Sequence, residues 1–239
     1  MKFAIIAAGE GSRLAAEGVS VPKPLVKVRG EMLVDRLVRV FMDNGAEEID
    51  VVCNDLRPEV ERHLRAVQRD GLNGRKVPLR VVVKTTPSSM HSFAALSPWL
   101  TDGPFCLTTV DTIFPEDEFR TYIHDFRQAV AQGEADGMMG VTDYVDDEKP
   151  LYVATDDRMD ITAFLDRSDS CRYISGGIYG LTPRAIDTLR GCLERSESRM
   201  RNFQRALIAD GCRLKAWPFS KVFDIDHAGD IKKAEAVNG

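Results

Sequence analysis

Apolar and polar residues follow two different periods along this chain. Short apolar runs, which are typical of buried β-strands, occupy five segments: 3–8, 49–54, 79–84, 105–110 and 137–142. Other segments repeat apolar residues every three or four positions, which predicts amphipathic helices at 31–45, 57–70, 115–132, 182–196 and 199–211. Strands and helices therefore alternate through the first half of the chain. This order predicts an α/β fold, a single Rossmann-like domain whose mostly parallel central sheet is flanked by helices.

Less regular segments complete the pattern. Residues 85–100 begin as a polar turn and continue as a short helix, and the acidic segment 143–152 predicts a turn. A strand at 173–181 contains interior glycines, which weaken a strand unless something approaches its backbone. We expect 212–219 to be an edge strand, because Pro218 cannot donate to a ladder.

The first strand runs into a loop that contains two glycines and is followed by two cations. Gly9 and Gly11 have no Cβ, so the backbone can turn tightly and present bare N–H groups to a bulky anion. Arg13 adds a planar guanidinium with five donors, and Lys23 stands between two prolines that stiffen the chain. Together these residues predict a polyphosphate site.

Two familiar phosphate-binding motifs do not describe this loop. The Rossmann fingerprint needs a third small residue where this chain has Leu14, and the Gly-Lys-Ser/Thr end of a P-loop is absent. The chain instead has G-x-G-x-R-L followed by P-K-P-L, and this pairing resembles the sugar-1-phosphate nucleotidyltransferases. The resemblance implies that Arg13 and Lys23 are catalytic. It also implies a set of nucleotide-binding residues: Ala7, Ala8, Gly9, Gly11, Ser12, Ser88 and Ser89. An ordinary N-cap role stays open for the two serines at 88 and 89.

Aspartates stand at two places where the resemblance implies Mg²⁺ ligands. Asp111 follows the strand 105–110, at the carboxyl edge of a parallel sheet where ligands bind, although it could also cap the next turn. Near the end of the chain, the side chains of Asp224 and Asp226 would point the same way on a strand. Two negative charges at such a short distance raise each other's pKa unless a cation lies between them. The family's Asp-Ile-Asp ending makes Asp224 the first choice as second ligand and Asp226 the next. An N-cap role is the alternative.

The acceptor site is implied by two further likenesses, each of which departs from the family pattern. Asp166 and Arg167 stand for a Glu-Lys pair that meets the acceptor, and a solvated turn is the alternative. Ser175, Gly176 and Gly177 stand for an Asn-Ala-Gly segment that lines the sugar pocket, and a β-bulge is the alternative. The missing Asn leaves the usual hydroxyl contact in doubt.

The composition indicates in which cellular compartment the protein works and which kinds of partner it binds. The 239 residues suffice for one domain, in which we expect a nucleotide-binding part at about 1–115 and an acceptor-binding part at about 116–239. A net charge of −5 argues against nucleic-acid binding. The five scattered cysteines, never in a C-x-x-C pair, predict free thiols in the reducing cytoplasm. No apolar run approaches the length of a membrane span, so we expect no membrane contact; a homo-oligomer stays open.

The reaction implied by the resemblance is Mg²⁺-dependent transfer of a nucleoside monophosphate from a nucleoside triphosphate to a sugar-1-phosphate. Pyrophosphate is released and an NDP-sugar is formed. One rival keeps this chemistry but uses phosphocholine or another phosphorylated alcohol as the acceptor. Another rival is a catalytically silent module that binds a nucleotide sugar and regulates a partner.

Overall fold

The computed structural model describes residues 1–146 and 149–237. Within these residues thirteen strands form, numbered β1 to β13 in chain order: Lys2–Ala7, Lys27–Val28, Glu31–Met32, Glu48–Cys53, Leu79–Val83, Phe105–Thr109, Thr112–Ile113, Gly137–Thr142, Tyr152–Thr155, Ile161–Leu165, Tyr173–Leu181, Leu214–Phe219 and Phe223–Asp224. The same residues form eight α-helices, α1 to α8: Ser12–Ala16, Leu33–Asp43, Pro58–Asp70, Ser89–Leu96, Glu116–Ala131, Arg184–Glu194, Met200–Ala209 and Ala228–Ala236.

The sequence pattern predicted the long elements and missed short ones. Every strand and helix expected from periodicity is present, with ends that differ by a few residues. The hairpin of β9 and β10 was missed, because strands of four and five residues are too short for a periodic signal. Of the turn expected at 143–152, residues 147 and 148 lie outside the described residues, and Tyr152 begins β9.

The central sheet is mostly parallel, as predicted. Its strand order is β10-β9-β11-β6-β1-β4-β5, with β8 also paired to β11 and β12 to β8. Within the described residues, seven of these nine strands run in one direction, while β10 and β11 run the opposite way. β1 lies between β4 and β6, so the loops after β1 and β6 share one edge. The predicted edge strand is confirmed, since β12 is the last strand on its side.

A bulge interrupts β11 at its glycines. The register of β11 against β8 shifts between Ser175 and Ile178, and Gly177 adopts a φ of 72°. An added Cβ on Gly176 would lie 3.1 Å from the carbonyl oxygen of Gly140 and 3.1 Å from Val222. The β-bulge, which was the alternative interpretation of these glycines, is therefore present. A larger residue at Gly176 would press on the backbone of Gly140 and on Val222.

Helices cover both faces of the sheet. On one face Phe3 of β1 stacks on Phe41 of α2, with ring centroids 4.5 Å apart, and Phe119 of α5 completes the group. On the opposite face Phe93 of α4 packs edge-on against Phe203 of α7 at 5.4 Å. Because both faces are covered, ligands have access at the carboxyl ends of the strands. In the part of the chain that the structure describes, no helix combines the length and apolar character that a membrane span needs.

Candidate functional site

The site is built where β1 and β6 end side by side. Val110 donates its N–H to the carbonyl oxygen of Ile6 at 3.0 Å, which places the loop after β1 beside Asp111. Gly11 adopts the left-handed φ of 63° just before α1 begins, and an added Cβ would lie 3.3 Å from Cβ of Lys23. Two features therefore favour glycine at position 11: its left-handed φ and its close approach to the segment that carries Lys23.

A first cavity of about 340 Å³ opens beside this loop. Its lining contains several residues predicted to bind nucleotide or metal: Ala8, Gly9, Gly11, Lys23, Ser88, Ser89 and Asp111. The same cavity is lined by hydroxyl groups that sequence reasoning missed: Thr85, Thr86 and Thr109. Ala7 is buried at the end of β1 and Ser12 begins α1, and neither lines this cavity.

Ser88 combines two of its predicted roles. Its hydroxyl accepts a 3.4 Å hydrogen bond from the N–H of His91, so it caps α4, and it also lines the cavity. The start of α4 and the glycine loop therefore line the same cavity.

Lys23 is the centre of an ion cluster. Its Nζ lies 2.6 Å from Oδ2 of Asp111 and 3.0 Å from Oδ1 of Asp226. Arg13 pairs with the other oxygen of Asp226 at 2.8 Å. Burial alone would lower the pKa of Lys23, but Asp111 and then Asp226 outweigh it and hold that pKa above its ordinary value. Lys23 is therefore a fixed positive charge at the edge of the cavity.

Backbone pairing places Asp224, which is near the end of the chain, beside Asp111. β13 pairs with β7, and the N–H of Ile225 donates to the carbonyl oxygen of Asp111 at 3.1 Å. The hydroxyl of Thr112 donates to Oδ1 of Asp224 at 2.9 Å. The Asp224 carboxylate opens onto the cleft, yet the protein atoms packed around it, and then the charge of Asp111, raise its pKa to about 8. A carboxylate whose ionisation is opposed by a neighbouring carboxylate is suited to a nearby cation.

The two aspartates of the D-x-D motif have different partners. Asp224 belongs to β13 and bonds Thr112, whereas Asp226 follows the strand and pairs with Lys23 and Arg13. In residues 1–146 and 149–237, no group of three or more His, Cys, Asp or Glu side chains is arranged to hold a metal ion. A pair of carboxylates still fits Mg²⁺, which keeps several waters and commonly uses one or two carboxylates plus substrate phosphates.

A second cavity of about 310 Å³ lies on the other side of this cluster. Arg13, Asp224 and Asp226 line it together with Ser175 and Gly176 of β11. The hydroxyl of Ser175 donates to Oε1 of Gln204 at 2.9 Å, which satisfies a buried amide. The ion cluster therefore separates two cavities.

The remaining predicted acceptor residues lie elsewhere. Asp166 pairs with Arg201 at 2.7 Å and with Arg205 at 2.8 Å, and those two arginines hold the pKa of Asp166 below its usual range. Neither Asp166 nor Arg167 lines the two cavities. Gly177 lines neither cavity either, and an added Cβ on it would sit 3.5 Å from Oγ1 of Thr112.

Asp230 orders the segment that carries Asp226, and its role was missed from the sequence. Its Oδ2 accepts hydrogen bonds from the N–H of His227 at 2.8 Å and of Asp226 at 3.1 Å. An acid at the third position of a helix is the signal that could have revealed this capping.

The chain resembles a known protein family and known proteins. Residues 3–175 match the model of the MobA-like NTP transferase domain. Over 72 residues the chain is 31% identical to a UTP–glucose-1-phosphate uridylyltransferase of Synechocystis sp.; this match takes in 30% of the chain but only 19% of that relative's length.

Solved structures match over nearly the whole chain. The inositol-1-phosphate CTP transferase from T. maritima superposes with a TM-score of 0.78 at 20% identity, covering 98% of this chain and 94% of that one. A UDP-glucose pyrophosphorylase complexed with UDP-glucose gives a TM-score of 0.77 at 17% identity, covering 98% of this chain and 97% of that one. At these identities the likeness establishes the fold. Since the family model spans most of the chain, the protein belongs to the MobA-like NTP transferase domain family.

Proposed function

We propose that this protein transfers a nucleoside monophosphate from a nucleoside triphosphate to a sugar-1-phosphate, with release of pyrophosphate, in a reaction that requires Mg²⁺. The observation that carries the proposal is the position of Lys23. This ammonium lies at the edge of the first cavity and contacts Asp226, which lines the second. A phosphate group that bridges the two cavities would meet Lys23.

The triphosphate is assigned to the first cavity. Its β- and γ-phosphates meet the N–H groups of the glycine loop and extend toward the guanidinium of Arg13, which lines the adjoining second cavity. Its base lies toward the start of α4 and Ser88. The α-phosphate lies beside Lys23. Lys23 and Arg13 must exchange their contacts with Asp226 for contacts with phosphate when the substrate binds.

The acceptor phosphate is assigned to the second cavity, beside Ser175 and Gly176. One of its oxygens attacks the α-phosphorus of the triphosphate. A new P–O bond forms while the bond from the α-phosphorus to the bridging oxygen of pyrophosphate breaks, and pyrophosphate leaves with the electron pair. No proton transfer is needed, so catalysis rests on alignment and on neutralising charge. The contact of Asp166 and Arg167 with the acceptor stays a prediction.

Mg²⁺ is assigned to Asp111 and Asp224. The raised pKa of Asp224 beside Asp111 supports a cation at this place. When bound, the ion supplies positive charge to the phosphates of the triphosphate. Thr112 holds the Asp224 carboxylate through its hydroxyl.

Pyrophosphate release tests the proposal. The common triphosphates are each incubated with Mg²⁺ and a panel of sugar-1-phosphates, with phosphocholine included for the rival acceptor class. We expect release with one triphosphate and one acceptor, and its loss in Asp111→Ala. The matched control is Asp117→Ala, an acid in the first turn of α5 that lines neither cavity.

Each other outcome has a defined meaning. Release with phosphocholine alone would select the phosphorylated alcohol as acceptor. Nucleotide binding without release across the panel would contradict the proposal and favour the silent regulatory module. Release that persists in Asp111→Ala would refute the metal assignment.

A further inference from the structure

We propose that Glu17 is a positioning residue for the triphosphate site: it docks α1 against the start of α8 and so holds the glycine loop and Arg13 in place. This inference rests on the proposed nucleotidyl transfer. Glu17 lines neither cavity, so its effect is exerted through α1.

Both oxygens of the Glu17 carboxylate contact the far end of the chain. Oε1 lies 2.6 Å from Nδ1 of His227, and Oε2 accepts a 2.7 Å hydrogen bond from the N–H of Ala228. Ala228 is the first residue of α8, so its N–H has no partner within that helix. A carboxylate at this end of a helix also meets the positive end of its dipole.

α1 depends on such contacts because it is short. It has five residues, Ser12–Ala16, fewer than a helix needs to be stable by itself. Leu14 is buried and anchors one side of α1. Arg13 and Glu17 are four residues apart, which places them on the same side of the turn. Arg13 meets Asp226 while Glu17 meets the next two residues, so residues 226–228 fix the rotation of α1.

The placement of α1 controls two groups that are assigned to the phosphates. Gly11 immediately precedes α1 and lines the first cavity. Arg13 lies within α1 and reaches Asp226 at the boundary of the two cavities. If Glu17 is removed, α1 keeps Leu14 and the exposed Arg13 pair but loses both contacts with residues 227 and 228. The loop and the guanidinium then sample more positions, and the triphosphate must order them when it binds.

Glu17→Ala removes both contacts, and Glu17→Gln keeps one acceptor for the Ala228 N–H while removing the charge. Affinity is measured by calorimetry with a non-hydrolysable analogue of the triphosphate that supports pyrophosphate release. Hydrogen exchange of residues 9–18 and thermal unfolding are followed in parallel. The matched control is Asp187→Ala, which breaks an exposed ion pair with Arg190 on α6, away from both cavities.

We expect Glu17→Ala to weaken triphosphate binding roughly tenfold, because small displacements of positioning groups have large effects. Glu17→Gln should lie between Glu17→Ala and the wild type. Exchange should accelerate in Glu17→Ala at 9–18 and at Ala228, whose N–H loses its acceptor. Segments away from this contact and the thermal midpoint should stay unchanged, since the pair is partly exposed and adds little to global stability.

Two results would overturn the inference. One is wild-type affinity and wild-type exchange at 9–18 in Glu17→Ala. The other is faster exchange throughout the protein together with a lower thermal midpoint, which would indicate a general structural role. If the wild type itself binds no triphosphate, the proposed function is wrong, and the exchange comparison alone decides whether Glu17 holds the loop.

Discussion

Asp50 is a buried carboxylate whose protonation should control the pH dependence of stability. It lies in the middle of β4, is fully buried, and faces Arg80 of β5, whose Nε is 3.0 Å from Oδ1. Within the described residues, neither carboxylate oxygen accepts a hydrogen bond. Burial, and then the charge of Glu48, raise the pKa of Asp50 to about 7 in spite of Arg80.

The sign of the effect follows from the two pKa values of Asp50. An unperturbed aspartate has a pKa of 3.8, so between about pH 4 and pH 7 the folded protein holds a proton that the unfolded chain has lost. Stability from this group is therefore fully present below pH 4 and is lost as the pH rises through 7. The free energy of unfolding falls by about 1.4 kcal/mol per pH unit across this window. The total is about 4 kcal/mol at most, because Arg80 can approach the ionised carboxylate more closely.

Asp50→Asn removes the titration while preserving the size of the side chain. Arg80 keeps its 2.7 Å contact with Glu48 in this variant. We expect the free energy of unfolding of the variant to match that of the wild type near pH 4. The variant should then gain about 1.4 kcal/mol on the wild type per pH unit up to pH 7, so that it exceeds the wild type by a few kcal/mol at pH 8. Groups such as Asp224 and His227, whose pKa values are also raised, titrate in both proteins and cancel in the difference.

Urea unfolding, followed by the fluorescence of the two tryptophans, measures this difference at pH 5, 6, 7 and 8. Asp187→Asn, at an exposed acid on α6, is the matched control and should track the wild type at every pH. Parallel stability curves for wild type and Asp50→Asn would show that Asp50 stays ionised in the folded protein and would refute the reasoning.

Three further predictions concern the candidate site. Lys23→Ala should reduce kcat about a hundredfold or more with an unchanged circular dichroism spectrum, by analogy with loss of an oxyanion donor; normal turnover would contradict its assigned role. Asp224→Asn should raise the Mg²⁺ concentration needed for half-maximal activity far more than Asp226→Asn does, because Asp226 is engaged by Lys23 and Arg13; equal increases would contradict the division of roles. Thr112→Val should raise the same Mg²⁺ requirement several-fold, since Asp224 loses a 2.9 Å hydrogen bond that favours its ionised form; an unchanged titration would argue against this role.

Much of the architecture could be predicted because it rests on local patterns. The apolar run of β1 is buried on both sides, with Phe3 and Ile5 in one core cluster and Ala4 and Ile6 in the other. Such a run identifies a central parallel strand without knowledge of its partners. The glycine at position 11 indicated a tight turn for the same local reason, and its left-handed φ follows from the absence of a Cβ.

Prediction failed where partners come from distant parts of the chain. The pair formed by Asp166 with Arg201 and Arg205 joins a strand end to α7, and no local signal marks it. The β9–β10 hairpin was missed for a related reason, since its short strands are defined by pairing with each other and with β11.

The sequence by itself determined the α/β class, the positions of the long helices and strands, and the residue types of the glycine loop and of the strand-end acid, from which a polyphosphate site is predicted. Periodicity and the conformational limits of glycine and proline act over a few residues, so these features can be recognised locally. Only the tertiary structure decided that Asp224 bonds Thr112, 112 residues away, while Asp226 pairs with Lys23, 203 residues away. It likewise decided the contact of Glu17 with His227, because the fold brings the two ends of the chain to one edge of the sheet.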